Sequence, residues 1–367
     1  RTPHKRAKPT PKTAKLADMN TQPHLRPDLS QLPDYVPGKR MPDALKLSSN
    51  EVAFGPLPSA HTAITDAAST INRYPDMAAT ELREALADHL GTTIDHVTVG
   101  CGSSALCQQL VTITCQEGED VIFPWRSFEA YPIFARVTGA NPVQIPLTDD
   151  LRNDLDAMAA AITDNTRLIF VCNPNNPTGT VVTAEEFDAF MAKVPSHIIV
   201  ALDEAYFEYN TAPSTPDAAE LVKRYPNLIG LRTFSKAYGL AGLRVGYAFG
   251  NPHIIAAMRK VQAPFEVSTL AQAAALASLE ARSELLDRTR DVITQRERVS
   301  TAIGAAPSQS NFIWVPAESL TGGDALATAQ ALTERNVLVR AFPEGVRITV
   351  TNEEEMDRFL AAWDSLN

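Results

Sequence analysis

Apolar runs the length of buried strands recur along the chain after residue 92. Six of them follow one another, at residues 97–99, 120–124, 167–173, 197–206, 228–236 and 244–250. Helical segments, including residues 154–162 and 183–193, separate several of these runs. Strands that alternate with helices predict an α/β fold with a mostly parallel sheet covered by helices on both faces.

A glycine-rich turn, Gly100 to Ser104, follows the first run and opens an apolar helix. Ligands bind at the carboxyl ends of parallel strands, and a helix start offers free N–H groups and a positive dipole end to an anion. The turn therefore predicts an anion site that includes Gly102, Ser103 and Ser104. A tight turn without a ligand is an equal alternative, since neither a P-loop nor a complete dinucleotide fingerprint is present.

Polar residues follow two further strands. The heptapeptide NPNNPTG, residues 173–179, forces an irregular turn from which amides such as that of Asn176 can point into a cleft. Asp203 follows the apolar run IIVAL, and a buried carboxylate is costly unless it meets a cation or a strong donor. Tyr206 can return its hydroxyl to the same cleft, whereas Glu204 points away from it and is predicted to be structural.

One lysine, Lys236, stands in the adaptable loop TFSKAYGLAGLRVGYAFG, residues 233–250. A lysine at the end of a strand can act as a Schiff-base nucleophile. Schiff-base chemistry on amino acids needs an electron sink, a carboxylate and a phosphate cradle, and pyridoxal 5'-phosphate uses all three. Under this hypothesis Asp203 keeps the pyridine nitrogen protonated. Thr233, Ser235 and Arg244, with the turn at 100–104, hold the phosphate.

Composition and charge narrow the class of protein. The chain has 367 residues, of which 44% are hydrophobic and 21% charged, which is typical of a globular protein with two or more structural units. Its net charge of -10 argues against nucleic-acid binding by the body of the protein. The four cysteines have no paired metal-site spacing, so we expect buried thiols and no metal. Without a run of about 18 apolar residues, we expect no membrane span and a soluble, cytoplasmic protein.

The first residues differ from the rest. Residues 1–18 carry six lysines and arginines against one aspartate, with no apolar periodicity. We interpret residues 1–19 as a basic arm that is flexible or lies against a partner. An electrostatic contact of this arm with nucleic acid or a membrane is the alternative.

Three motifs in order, NPNNPTG, DEAY (203–206) and SKAYGLAGLRVGY (235–247), resemble the class I/II aminotransferases of the fold-type-I pyridoxal phosphate superfamily. The resemblance covers nearly all of the chain after residue 30. YVPGK (35–39), LSSNEVAFGP (47–56) and RYPD (73–76) are similar to the histidinol-phosphate aminotransferase branch, which includes aromatic amino acid aminotransferases.

The resemblance implies a role for each matching residue around the cofactor. Lys236 is the Schiff-base lysine and the base that moves the substrate's α-proton. Asp203 pairs with the pyridinium nitrogen, and Tyr206 and Asn176 bond the ring's 3-oxygen. Phe128 stacks on the ring in place of a more usual tyrosine. The resemblance also implies that Tyr74 reaches the phosphate of the partner subunit's cofactor, and hence a homodimer with shared sites.

The resemblance further places the substrate against one set of residues: Arg347, Asn176, Asn50, Tyr35 and Arg340. Arg347, in GVRITV, matches the arginine that grips the substrate carboxylate, for which a planar guanidinium is suited. Thr351 and Asn352 depart from the Gly-Thr usual after this strand, which leaves the local backbone open.

Several activities fit these residues. The preferred one is ping-pong transamination between an aromatic amino acid and a 2-oxo acid, because the Arg340–Arg347 connection is short and WRSFEAYPIF adds aromatic surface. Histidinol-phosphate transamination is the alternative, since Arg340 matches an arginine linked to that phosphate. A β-eliminating lyase and a transcription regulator on the same fold are less favoured, the latter because about forty unpatterned residues precede the motifs.

The resemblance also implies two domains. We expect a large cofactor-binding domain at residues 48–255 and a smaller α+β domain formed by residues 20–47 and 256–367. The cleft between them would close on the substrate and exclude water.

Overall fold

The computed structural model describes residues 25–26, 32 and 41–366. The chain divides into two compact units, Arg1–Asp34 and Tyr35–Asn367. The helices and strands given below all belong to the second unit. The predicted basic arm at residues 1–19 and the predicted substrate residue Tyr35 lie outside the described residues.

Strands are numbered in chain order: β1 Leu45–Lys46, β2 Val97–Gly100, β3 Asp120–Trp125, β4 Asn141–Pro146, β5 Thr166–Cys172, β6 Ile199–Asp203, β7 Leu228–Thr233, β8 Gly246–Gly250, β9 Phe312–Pro316, β10 Val337–Leu338, β11 Arg340–Phe342 and β12 Gly345–Thr349.

The helices are α1 Pro58–Ala67, α2 Thr80–Leu90, α3 Gly102–Thr114, α4 Tyr131–Thr138, α5 Leu155–Ala160, α6 Ala184–Met191, α7 Ala218–Leu221, α8 Pro252–Val261, α9 Thr269–Glu280, α10 Arg282–Ile303, α11 Ala325–Thr333 and α12 Glu353–Asp364. No helix in the described ranges combines the length and apolar character that crossing a bilayer requires.

A seven-stranded sheet forms the centre, in the order β2-β8-β7-β6-β5-β3-β4. Strand β8 is antiparallel to β2 and β7, and the remaining pairs are parallel. Every residue of β2, β7 and β8 is buried, as expected of strands covered on both faces. This arrangement confirms the predicted α/β class with a mostly parallel sheet.

The sequence pattern missed one strand of this sheet. β4 carries prolines at 142 and 146, and only Ile145 of its six residues is buried. Proline donates no ladder hydrogen bond and is therefore confined largely to edge strands. β4 lies at the edge of the sheet, where it has no long apolar run to reveal it.

Two small sheets join distant parts of the chain. β1 pairs in parallel with β10, and β12 lies between β11 and β9 in an antiparallel sheet. The Leu47 N–H donates to the Leu338 carbonyl at 2.7 Å, and the Thr349 N–H donates to the Leu47 carbonyl at 2.9 Å. The segment after β1 is therefore fixed against the C-terminal strands.

The backbone after β12 is explained by a helix cap. The Asn352 side chain accepts a hydrogen bond from the Glu355 N–H at 2.9 Å and begins α12. An asparagine side chain satisfies one of the free N–H groups at a helix start. The departure from Gly-Thr at this point is therefore compatible with an ordinary strand-to-helix turn.

Glu204 points away from the cleft, as predicted, and its role is structural. Its carboxylate accepts from the Arg232 Nε at 2.8 Å in a buried pair, and Arg232 also donates to Asp217 at 2.8 Å. The Arg232 guanidinium lies 3.6 Å from the ring centre of Phe207. Burial raises the pKa of Glu204 to about 7, and the positive charge of Arg232 opposes this rise.

Candidate active site

A cavity of about 210 Å³ opens at the carboxyl ends of β5, β6 and β7. The structure brings most of the sequence-predicted site residues to its wall: Asn50, Ser103, Ser104, Phe128, Asn176, Asp203, Tyr206, Thr233, Ser235, Lys236, Arg244, Arg340 and Arg347. Two of the predicted residues, Gly102 and Tyr74, do not line it.

Lys236 follows β7, and its side chain reaches the segment after β1. The Nζ atom donates to the Ser49 carbonyl at 3.2 Å. Burial lowers the pKa of Lys236 from 10.5 to about 7, and the nearby positive charge of Arg347 lowers it further in the same direction. A substantial fraction of this amine is therefore neutral, and hence nucleophilic, at neutral pH.

Asp203 ends β6 with its carboxylate buried at the cavity wall. The Tyr131 hydroxyl donates to Oδ2 at 2.6 Å, and the Ala205 N–H donates to Oδ1 at 3.3 Å. Burial raises the pKa of Asp203, whereas these two hydrogen bonds favour the ionised form. The carboxylate is thus held in a fixed orientation and can accept from a further donor in the cavity.

Sequence reasoning missed Tyr131. The residue begins α4, 72 positions before Asp203, and its ring stacks on Phe170 at 4.5 Å. Its motif, WRSFEAY, indicated aromatic surface near the site but contains no signal that one hydroxyl reaches β6.

A candidate anion cradle lies at the start of α3. Arg244 donates to the Ser235 Oγ at 3.2 Å and to the Ser104 Oγ at 3.3 Å, so its guanidinium spans the turn before the helix. No side-chain hydrogen bond caps α3 in the described structure. Its first N–H groups and the positive end of its dipole therefore suit a phosphate.

Gly102 lies next to the Arg244 guanidinium and leaves room for it. Its φ is +76°, a conformation that favours glycine, and an added Cβ would collide with the Arg244 guanidinium. Gly102 does not line the cavity, but the absence of a Cβ at this position allows Arg244 to occupy its place beside the turn.

The cavity wall also carries Arg347, which is buried in β12. Its Nη1 donates to the Asn176 Oδ1 at 2.6 Å and its Nη2 donates to the Ser48 carbonyl at 2.7 Å. These contacts hold the guanidinium plane at the cavity wall, where it can bind a carboxylate.

Asn50 links β12, the strand of Arg347, to Tyr206. Its N–H donates to the Thr349 Oγ1 at 2.9 Å, and its Nδ2 donates to the Tyr206 hydroxyl oxygen at 2.9 Å. Burial raises the pKa of Tyr206 to about 12, so the phenol keeps its proton at neutral pH. Tyr206 can therefore donate that proton in a hydrogen bond within the cavity.

Arg340 lies directly opposite Arg347 in the β11–β12 pair. Its Nη2 donates to both carboxylate oxygens of Glu129, at 2.9 and 3.2 Å. Glu129 also lines the cavity, next to the predicted Phe128. The sequence analysis did not single out Glu129, since a glutamate in a loop is usually solvated.

Two aromatic residues occupy different places. Phe128 lines the cavity and packs edge-on against Tyr131, with ring centres 5.4 Å apart. Tyr74 is 82% exposed and stacks on Phe265 at 4.6 Å. Tyr74 therefore takes no part in the cavity of its own subunit.

The wall residues fit pyridoxal phosphate. The cradle at α3 suits its phosphate, the Asp203 carboxylate suits a protonated ring nitrogen, and Lys236 supplies an amine in the same cavity. The glycine at 102, where a Cβ would displace Arg244, is consistent with a closely bound anion.

Comparisons with known proteins agree with this geometry. The family model for aminotransferase class I and II matches residues 42–362. An aromatic amino acid aminotransferase of Corynebacterium efficiens is 63% identical, over 94% of this chain and 99% of that protein. One of Corynebacterium diphtheriae is 62% identical, over 93% and 99%.

A solved structure extends the comparison to the fold. The histidinol-phosphate aminotransferase of Sinorhizobium meliloti, in complex with pyridoxal 5'-phosphate, superimposes with a TM-score of 0.84 and is 31% identical. The alignment covers 95% of this chain and all of that one.

Proposed function

We propose that this chain, which belongs to the class I and II aminotransferase family, transfers amino groups between an aromatic amino acid of the phenylalanine and tyrosine class and a 2-oxo acid. The observation that carries the proposal is one cavity in which Lys236, Asp203 and Arg347 meet. The curated relatives at 62–63% identity support the aromatic substrate, since both are named aromatic amino acid aminotransferases.

Pyridoxal 5'-phosphate is the cofactor that these residues fit. Ser103, Ser104, Thr233, Ser235 and Arg244 would hold its phosphate, and Asp203 would accept from its ring nitrogen. Asn176 and Tyr206 would hydrogen-bond its 3-oxygen, and Phe128 would cover one ring face. Bound there, the cofactor supplies an electron sink for the electrons released at the substrate's α-carbon.

The reaction then depends on how the chain places one proton. Arg347 binds the substrate carboxylate and so fixes the α-carbon in the cavity. The neutral Nζ of Lys236 accepts the α-proton, which its lowered pKa of about 7 permits at neutral pH. The amino acid leaves as its 2-oxo acid, and a second 2-oxo acid collects the amine in the reverse sequence.

Histidinol phosphate is the second candidate substrate, and Arg340 is the observation that favours it. Arg340 lines the same cavity as Lys236 and could face a phosphate ester. The structural neighbour from Sinorhizobium meliloti carries that activity in its name.

Two mutants separate these candidates. Arg347→Ala should lower kcat/KM for phenylpyruvate by about a hundredfold or more, because a charged bidentate contact is lost. Arg340→Ala should matter much less for phenylpyruvate. If histidinol phosphate is the substrate, the order reverses, because that molecule has a phosphate and no carboxylate. A large loss only in Arg340→Ala, with efficient turnover of histidinol phosphate, would contradict the aromatic proposal.

Assembly and closure are part of the proposal. The exposed Tyr74, stacked on Phe265, would reach the phosphate site of a second copy, so the working enzyme is a homodimer. Residues 48–255 would form the cofactor domain, and residues 20–47 with 256–367 the smaller domain that closes on the substrate. The four cysteines are free, three of them buried, which suits a cytoplasmic protein.

A further inference from the structure

Glu129 and Arg340 form an ion pair inside the wall of the cavity. The two residues are 211 positions apart in sequence, on the loop before α4 and on β11. Their side chains are 33% and 23% exposed, so both are partly desolvated. A pair at such a depth is screened less than a surface pair and interacts more strongly.

The pair changes the charge that a substrate meets. Four cations line the cavity: Arg244, Lys236, Arg347 and Arg340. In the proposed function the first three serve the cofactor phosphate, the proton transfer and the substrate carboxylate. The fourth, Arg340, is already bound by the Glu129 carboxylate.

Strand register places this pair next to Arg347, the residue that would bind the substrate carboxylate. Arg340 and Arg347 are directly opposite each other on antiparallel strands, so both side chains project from the same face of the sheet. A substrate held by Arg347 would therefore lie beside Arg340 and Glu129, which line the same cavity.

We propose that Glu129 is a specificity-determining residue that selects uncharged distal groups, such as aromatic rings, and rejects substrates with a distal anion. A distal phosphate or carboxylate must displace Glu129 from Arg340 and leave two negative charges close together in a partly desolvated site. Like charges placed together in this way oppose binding strongly. This inference rests on the proposed function, since it explains which side chain the transaminase accepts.

The test compares substrates with and without a distal negative charge. Phenylalanine and 4-carboxyphenylalanine share the α-carboxylate and the ring, and histidinol phosphate provides a distal phosphate. Single-turnover rates of the holoenzyme with one amino donor at a time give kcat/KM for each without a second substrate. Binding of 3-phenylpropanoate and 3-(4-carboxyphenyl)propanoate, measured by calorimetry, gives the same preference without chemistry.

Glu129→Gln keeps the size of the side chain and removes its charge. We expect it to shift the preference between the charged and uncharged members of each pair toward the anion by about tenfold or more. Glu129→Ala should shift it in the same direction. The double variant Glu129→Gln, Arg340→Gln should lose this gain, because the positive charge of Arg340 is then absent.

Glu344→Gln is the matched control. Glu344 lies on the turn between β11 and β12 and forms an ion pair with Arg126 at 2.8 Å. Neither Glu344 nor Arg126 is among the residues that line the cavity. This variant should keep the wild-type preference. An unchanged preference in both Glu129 variants, or an equal shift in Glu344→Gln, would overturn the inference. A wild-type enzyme inactive with phenylalanine would instead contradict the proposed function itself.

Discussion

The amine of Lys236 makes the clearest prediction for a single residue. Its pKa of about 7 means that the neutral, nucleophilic form is fully present only above neutral pH. In protein freed of cofactor, capture of pyridoxal at Lys236, fixed by borohydride and located by mass spectrometry, should rise about tenfold per pH unit below that pKa and level off above it.

A neighbouring charge provides the control for this measurement. Arg347 lowers the pKa of Lys236, so Arg347→Met should move the midpoint of capture to higher pH. Lys236→Ala should abolish the fixed product. A midpoint near 10.5, the ordinary value for lysine, would contradict the proposed desolvation.

The hydrogen bond from Tyr131 to Asp203 predicts a shift in pH profile. Burial raises the pKa of Asp203 and the Tyr131 hydroxyl opposes the rise, so Tyr131→Phe should raise it further. The ionised carboxylate is lost as pH falls, and in this variant it should be lost at higher pH. The acid limb of kcat for phenylpyruvate should therefore move upward.

Two further variants serve as controls for the Tyr131→Phe measurement. Asp203→Asn removes the charge and should lower turnover at all pH values by on the order of a hundredfold or more, with the fold intact. Glu204→Gln should lower the melting temperature through the buried Arg232 and leave the acid limb in place. An acid limb unmoved by Tyr131→Phe would show that the bond only stabilises the fold.

At this scale the sequence identified the cavity residues that stand in local motifs. Lys236, Asp203 and Arg244 stand at strand ends in recognisable segments, and all three line the cavity. Tyr131 and Glu129 could not be predicted, because each acts through a contact with a residue far away in the chain. Only the tertiary structure, which brings Tyr131 to β6 and Glu129 to β11, creates those contacts.

At the scale of elements, the turn into α3 gives a paired prediction. Gly102 and Gly118 both have positive φ, +76° and +84°, so alanine at either position costs about 1 kcal/mol of backbone strain. Only at Gly102 would the new Cβ meet the Arg244 guanidinium. Gly102→Ala should weaken pyridoxal phosphate binding by about tenfold or more, since the cradle is displaced.

Gly118→Ala is the control, because nothing lies within 4 Å of its added Cβ. Its affinity for pyridoxal phosphate, measured by fluorescence titration, should equal that of the wild type even though its thermal stability falls. Equal affinities in both variants would count against the cradle at α3.

The positions of helices and strands followed from the sequence wherever burial set the pattern, but their boundaries did not. The predicted segment 154–162 narrows to α5, and 183–193 to α6, which starts after a capping box of Thr183 and Glu186. The edge strand β4 was missed because its prolines and exposed side chains remove the apolar signal. The short strands of the small sheets depend on partners far along the chain and have no local signature.

For the whole molecule, the proposed homodimer predicts complementation between two defective subunits. Lys236→Ala lacks the amine, and Tyr74→Phe lacks the hydroxyl that would serve the partner. In a mixed dimer, one site combines the intact Lys236 of one subunit with the intact Tyr74 of the other. Random mixing should therefore restore up to about a quarter of wild-type activity, since half of the dimers are mixed and one of their two sites is complete.

The measurement is the specific activity of subunits denatured and refolded together, compared with the same subunits refolded apart. Sedimentation should show a dimer in every sample. Activity no greater than the sum of the separate samples would contradict a shared site.

The hydrogen bond from Asn50 to Thr349 joins residues 299 positions apart. The complete site can therefore form only after nearly the whole chain has been synthesised. On the ribosome, the seven-stranded sheet can be complete once residue 250 has emerged, but the substrate anchor Arg347 and its support at Ser48 meet only when β12 arrives. Contacts this far apart in sequence are late events for a growing or refolding chain. Catalytic activity in a lysate therefore measures only full-length, folded chains. An antibody that recognises the central sheet also detects chains that end before β12.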